Sequence, residues 1–305
     1  MGGTHKEGVF PAQKGIKNLC ARLLAKAFMA ALPLQALSGF CAELAPLKLD
    51  TFISQSEPSK SFENEIFLLV SNEKDRAKIA YIPFRCDPVL FAFNPQKDTV
   101  FLSKLLLHIK ADSAFTEKVK KLAKDAGING QLADKDELAK IKAANDALNV
   151  KIAVFAIVNE SAFFDINDTY KVSWNGENEK IAPAHDANSP ALDTIAAFRL
   201  GTLQLKLNGQ LKDGDMFEFT SDAFSDYINY ALAAKSEKKK AIAFPRFCRE
   251  LDVATLVLVQ ESGTTDILFY SANSFDEEND GFSDKPDFRP KLVLEFSAKS
   301  EISND

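Results

Sequence analysis

The strongest constraint on this chain is a succession of short apolar runs, many alternating with polar residues at a period of two. They fall at 48–55, 65–72, 78–86, 99–110, 149–158, 169–174, 196–207, 216–220, 241–247, 254–261, 267–271 and 291–296. In one of them Leu203, Leu205 and Leu207 alternate with Gln204, Lys206 and Asn208. Period two places successive side chains on opposite faces of a strand, so one face can join a core while the other meets water. About a dozen such strands separated by turn signals predict an all-β fold, a jelly-roll β-sandwich in a single domain. Helices do not alternate with the strands, which argues against a parallel α/β architecture.

Two stretches follow a different period. Over 112–148, Phe115, Val119, Leu122 and Ala126 recur at helical spacing, and Gly127 supplies a stop. Asp134 with Glu137 makes a capping-box start for a second helix through Leu138, Ile141 and Leu148. The spacing therefore predicts an αα-hairpin inserted between two strands. A shorter helix is expected over 222–235, with Phe224, Tyr227, Ile228 and Leu232 on one face. Near the C-terminus, an acidic stretch at 276–280 cannot enter a core and must lie on the surface between the last two strands.

The first 42 residues carry five basic residues (Lys6, Lys14, Lys17, Arg22, Lys26) and one acid, Glu7, ahead of a charge-free run from Ala27 to Ala42. A basic segment, an apolar segment and small residues near its end form the pattern of a secretory signal peptide, so a 1–42 targeting segment and a 43–305 domain are expected. The expected location is outside the cell or on its surface. Removing that segment leaves 32 basic residues against 42 acids, a net charge of −10 in place of −6. Such a balance disfavours nucleic acid and anionic membranes as partners. No apolar segment has the length a membrane span needs. Cys86 and Cys248 remain, either paired in an oxidising compartment or as two buried thiols.

Catalytic signatures are missing. His5, His108 and His185 lack metal-ligand spacing, and there is no nucleophile elbow. The expectation is a protein that is not an enzyme. Phe dominates the rings, with 25 against five Tyr and one Trp, and a ring without a polar handle is core filling before it is a ligand platform.

Several stretches resemble one known family in order along the chain. They are Asp50-Thr-Phe-Ile-Ser, Phe62 with the strand through Val70, Ala80-Tyr-Ile-Pro-Phe-Arg-Cys-Asp87, and Leu102-Ser-Lys-Leu-Leu-Leu-His-Ile109. They continue with Val172-Ser-Trp-Asn175 followed by Ala182-Pro183, Leu200-Gly-Thr202, Phe217-Glu-Phe-Thr220, Phe269-Tyr-Ser271 and Arg289-Pro-Lys-Leu-Val-Leu-Glu-Phe296. The series resembles DNRLRE-domain proteins, which are grouped with carbohydrate-binding module family 96. This chain keeps only Asp50 of the naming motif, has Pro83 where a basic residue is usual, and carries the helical insertion as an extra. The resemblance implies an extracellular jelly-roll module that binds polysaccharide without catalysis.

Sugar recognition needs ring faces and rigid polar groups. Arg85 alternates with Tyr81 and Pro83 on one strand face, so Tyr81 and Arg85 are candidate ligand contacts, although a solvated sandwich face accounts for them equally well. Trp174 is a third candidate or a core anchor, and Arg246 beside Phe247 a fourth. Asp165, Asn167 and Asp168 offer clustered oxygens for a structural calcium ion, as do Asp213-Gly-Asp215 and 276–280. Two alternatives to polysaccharide binding stay open: an adhesive or structural surface protein whose insertion meets a protein partner, and a polysaccharide lyase.

Overall fold

Eleven antiparallel strands form the framework of a computed structural model that describes residues 40–47, 50–60, 62, 64–90, 93–127, 134–157, 197–241, 253–274 and 286–299. These residues all belong to the unit Leu37–Asp305. A four-stranded sheet contains β1 (Cys41–Leu44), β11 (Lys291–Ala298), β5 (Asp98–His108) and β8 (Met216–Thr220), in that spatial order. A five-stranded sheet runs β2 (Thr51–Ser54), β4 (Lys78–Arg85), β9 (Val253–Ser262), β6 (Asn149–Ile157) and β7 (Ala197–Lys206). β3 (Phe67–Val70) and β10 (Ile267–Tyr270) pair separately. The architecture is β-rich and sandwich-like, as the period-two runs predict. Inward residues of both large sheets, among them Leu105, Leu107, Leu292, Leu294, Leu256, Leu258, Ile152 and Val154, share one core.

Most strands lie within a residue or two of their expected bounds, and β8 matches them at both ends. Three expectations change. β1 straddles the end of the segment assigned to targeting: Cys41 to Leu44 pair with Glu295 to Leu292, and the Phe40 carbonyl accepts a hydrogen bond from Phe296 N at 2.9 Å. Ala42 is buried, so a domain boundary at 43 would cut this strand in half. The helix expected to end near 235 continues to Ala241, which displaces the start of the strand expected at 241–247; 242–247 and the expected strand at 169–174 lie outside the described residues. Finally, β4 is buried on both faces rather than one.

Pro83 is tolerated in this central strand because of where β2 stops. An antiparallel residue directs its N–H and C=O to the same side. The Pro83 carbonyl accepts from Leu47 N at 2.8 Å, beyond the last β2–β4 pair, so the missing donor faces that side and the β9 ladder is untouched.

Four helices complete the described chain: α1 (Asp87–Leu90), α2 (Ser113–Ala126), α3 (Lys135–Leu148) and α4 (Asp222–Ala241). α2 and α3 lie against each other between β5 and β6 in sequence. Asp112 caps α2 by accepting from Phe115 N, and Asp134 and Glu137 form a reciprocal capping box on α3. Gly127 ends α2 with a right-handed backbone, so no left-handed cap is needed there.

α4 solves an edge problem. β8 pairs only with 104–108 of β5, leaving the first half of β5 without a neighbour on that side. The Asn229 amide fills the gap: its Oδ1 accepts from Val100 N and its Nδ2 donates to Val100 O, each at 2.7 Å. Ser225 Oγ accepts from Ser103 N at 3.0 Å. A helix thus covers an edge that would otherwise invite another strand. Ser221 positions the helix, accepting from Phe224 N and donating to Leu200 O.

Candidate functional site

The loop from Leu207 to Asp215, between β7 and β8, is folded by its own side chains. Asn208 Oδ1 accepts from Gln210 N, and Asp215 Oδ2 accepts from Lys212 N, both at 2.8 Å. Ile109 N donates to Asp215 O and Gly214 N donates to Ile109 O, which ties the loop to the end of β5. Gly209 lies beside Ala123 and Lys120 of α2. Between this loop and α2 opens a cleft of about 740 Å³, lined mainly by Thr116, Lys120, Gln210, Lys212, Asp213 and Asp215.

One side of the cleft leads to a cluster of rings. Asp213 accepts from Ala111 N through Oδ1 and from the Tyr270 hydroxyl through Oδ2, both at 2.7 Å. The Tyr270 ring lies 5.0 Å from Phe288 and has the Lys110 ammonium over it at 5.0 Å. Phe288 in turn lies 5.3 Å from His108. Gly214 has φ +82°, and a Cβ there would sit 2.5 Å from the Phe288 ring, so both its conformation and the space require glycine.

Neither titratable ring is poised as a base. Burial pushes the Tyr270 hydroxyl up to about 12, helped by the hydrogen bond to the Asp213 carboxylate, so it remains a donor at neutral pH. Burial holds the His108 imidazole below its ordinary value, partly offset by a hydrogen bond with the Phe288 carbonyl. Its Nδ1 is buried without a partner among the described residues. In the lining of the cleft, no hydrogen bond or ion pair among the described residues engages the Gln210 amide or the Lys212 ammonium. The arrangement can hold a polar ligand and exchange hydrogen bonds with it.

The expected ligand residues are placed differently. Tyr81 is fully buried in β4, and burial pushes its hydroxyl far up. It faces away from the shared core together with Ile79, on a sheet face that is interior rather than solvated, so it cannot meet a ligand there. Arg85, four residues on, is exposed at the end of the same strand. Trp174, Arg246, Asp165, Asn167 and Asp168 lie outside the described residues. Three of the four carboxylate oxygens of Asp213 and Asp215 accept protein hydrogen bonds. Among the described residues, no group of three or more His, Cys, Asp or Glu side chains could hold a metal ion. Cys86 is buried, with its thiol 3.8 Å from the Phe84 carbonyl; Cys248 lies outside the described residues.

Sequence reasoning met Tyr270 only in the stretch Phe269-Tyr-Ser271 and did not join it to Asp213, Lys110 or Phe288. The usable signal was Asp213-Gly-Asp215, a turn read there as a metal site. Among the described residues no helix is long and apolar enough to cross a membrane. No family profile matches the chain, and no curated protein matches it.

Proposed function

We propose that this chain is an exported, non-catalytic carbohydrate-binding protein that holds a polar glycan in the cleft between α2 and the 207–215 loop. The observation that carries this reading is the lining. Gln210 and Lys212 face the cleft with unengaged amide and ammonium groups, beside carboxylates fixed by the protein. Rigid acceptors next to available donors match the hydroxyls of a sugar better than an apolar ligand. The resemblance to DNRLRE-domain proteins points the same way, with the ligand site moved from β4 to the cleft.

The jelly-roll reading belongs to this proposal and is supported by strand order. The orders β1-β11-β5-β8 and β4-β9-β6-β7 arise when one long hairpin of strands is wrapped so that β5 and β6, and likewise β8 and β9, fall in different sheets. Export is supported by the basic and then charge-free N-terminal sequence, with any cleavage placed before Phe40 so that β1 survives.

Affinity electrophoresis through gels cast with alginate, ulvan, pectin or neutral glucans tests the reading. One glycan should retard the wild type and Arg85→Ala equally, and retardation should be lost in Gln210→Ala and Lys212→Ala. Equal retardation of the cleft variants, or none of the wild type by any glycan, would remove the proposal. A protein-binding role is favoured by one observation: the first half of α3 is exposed, including Leu138 at 49%. In that case Leu138→Glu, not Lys212→Ala, would abolish adhesion.

A further inference from the structure

We propose that Asp50 is a pH-sensitive latch, joining the start of β2 to the turn Ala272–Ser274 while protonated and loosening that turn when it ionises. Asp50 is completely buried. Its Oδ2 accepts from Ala272 N at 2.7 Å, across 222 residues of sequence, and its Oδ1 has no partner among the described residues. Among the described residues no ion pair compensates it. Phe52, two residues on in β2, stacks on Phe62 at 4.1 Å, and both rings are buried.

The titratable groups of the neighbouring elements are otherwise engaged. Tyr270 donates to Asp213 and Asp266 accepts from Ser71, while Glu65 meets the turn through its backbone carbonyl, which accepts from Ser271 and Asn273. Tyr81 of β4 faces the other side of the sheet, and the turn itself carries only Ser271, Asn273 and Ser274 as polar side chains. A buried carboxylate held only by backbone amides, with an orphan oxygen, is strongly disfavoured, whereas the neutral acid is tolerated. Opening the turn is the route by which water can reach an ionised Asp50.

Burial raises this carboxyl from 3.8 to about 7, against the opposing pull of the Ala272 amide and its own. The unfolded chain therefore loses the proton near 3.8 and the folded chain near 7. Between those values the native state binds more protons, so stability falls as pH rises, and it levels off above about 7.

The test compares the full chain with Asp50→Asn in thermal melts from acid to alkaline pH, alongside hydrogen exchange of the 271–274 peptide corrected for intrinsic rate. The wild type should lose melting temperature through that window, and its turn should lose protection at the alkaline end; the variant should show neither change. Parallel melting profiles, or equal exchange at both ends, would overturn the latch. Should Asp50→Asn not fold, carbon NMR of the carboxyls in Asp-labelled wild type decides: an Asp50 midpoint near 4 sinks the proposal, and one near 7 together with the exchange change sustains it.

Discussion

The two large sheets carry similar strands but use their faces differently. On the four-stranded sheet, Leu292, Leu294 and Phe296 are buried, whereas Lys291, Val293 and Glu295 are half-exposed on the other face. In the five-stranded sheet the strands β2, β4 and β9 are interior on both faces: Leu256 and Leu258 join the shared core, while Val257, Ile79 and Ile53 are equally buried on the opposite side, and toward the β7 edge Gln204 and Lys206 reach solvent. An antiparallel sheet with one wet face tolerates polar residues at every second position, whereas strands buried twice hold only a few small or hydrogen-bonded ones, such as Thr51, Ser54 and Gln260. The difference explains why the ring and the arginine expected to form a ligand surface on β4 do not do so. It also places the candidate cleft beyond the edge of the wetter sheet, where a loop and a helix meet, rather than on a strand face.

The sharpest way to break this comparison is one substitution made on the same outward side of each sheet. Val257→Asn would bury an amide with no partner and should cost about 4 kcal/mol. Val293→Asn leaves its amide in water and should cost no more than about 1 kcal/mol, mostly lost strand preference. Urea denaturation of both variants reads the difference directly. Similar losses would mean that the two faces are covered alike.

The second test asks whether the edge of the four-stranded sheet depends on α4. Asn229→Ala removes both partners of the Val100 peptide groups, which lie in a buried setting. Leaving a buried N–H and C=O unsatisfied costs about 1–3 kcal/mol for each group. A total of about 3 kcal/mol is therefore expected by denaturation. An unchanged midpoint would show that β5 does not need the helix as its neighbour.

These elements differ in how legible they were. The capping box at Asp134 and Glu137 is local, and so are the alternation of β7 and the bounds of β8; each was read correctly because the deciding partners lie within a few residues. β1 was missed because its four residues follow an apolar run and gain their identity only from β11, some 250 residues away. Tyr81 was misplaced by an alternation that distinguished Tyr81 and Arg85 from Ile82 and Phe84. The run Ala80-Tyr-Ile-Pro-Phe84 holds no charged residue, and that was the available sign of a strand buried on both faces. The cleft was invisible for the same reason as β1: Asp213, Tyr270 and Phe288 meet only through the fold.

A third test returns to the edge of the wetter sheet. Gly214→Ala forces a Cβ into the Phe288 ring at a positive φ, and strain of this kind costs about 2 kcal/mol. The ring cluster should shift with it, so glycan retardation should weaken along with stability. Reduced stability with undiminished retardation would separate the ring cluster from the cleft.

The smallest effect belongs to the exposed side of the four-stranded sheet. Lys291 Nζ lies 2.8 Å from Glu43 Oε1, across the β1–β11 pair, with Glu43 more than half exposed. Solvent-exposed ion pairs of this kind contribute about 0.5 kcal/mol, and salt screens them. A double-mutant cycle with Lys291→Ala and Glu43→Ala should give a coupling of that size at low ionic strength and little at high. The wet face would then be a surface where charges set solubility and register, while stability resides in the layer beneath. A coupling several times larger, insensitive to salt, would mean that something covers this face too, and the contrast between the two sheets would fail at its most exposed point.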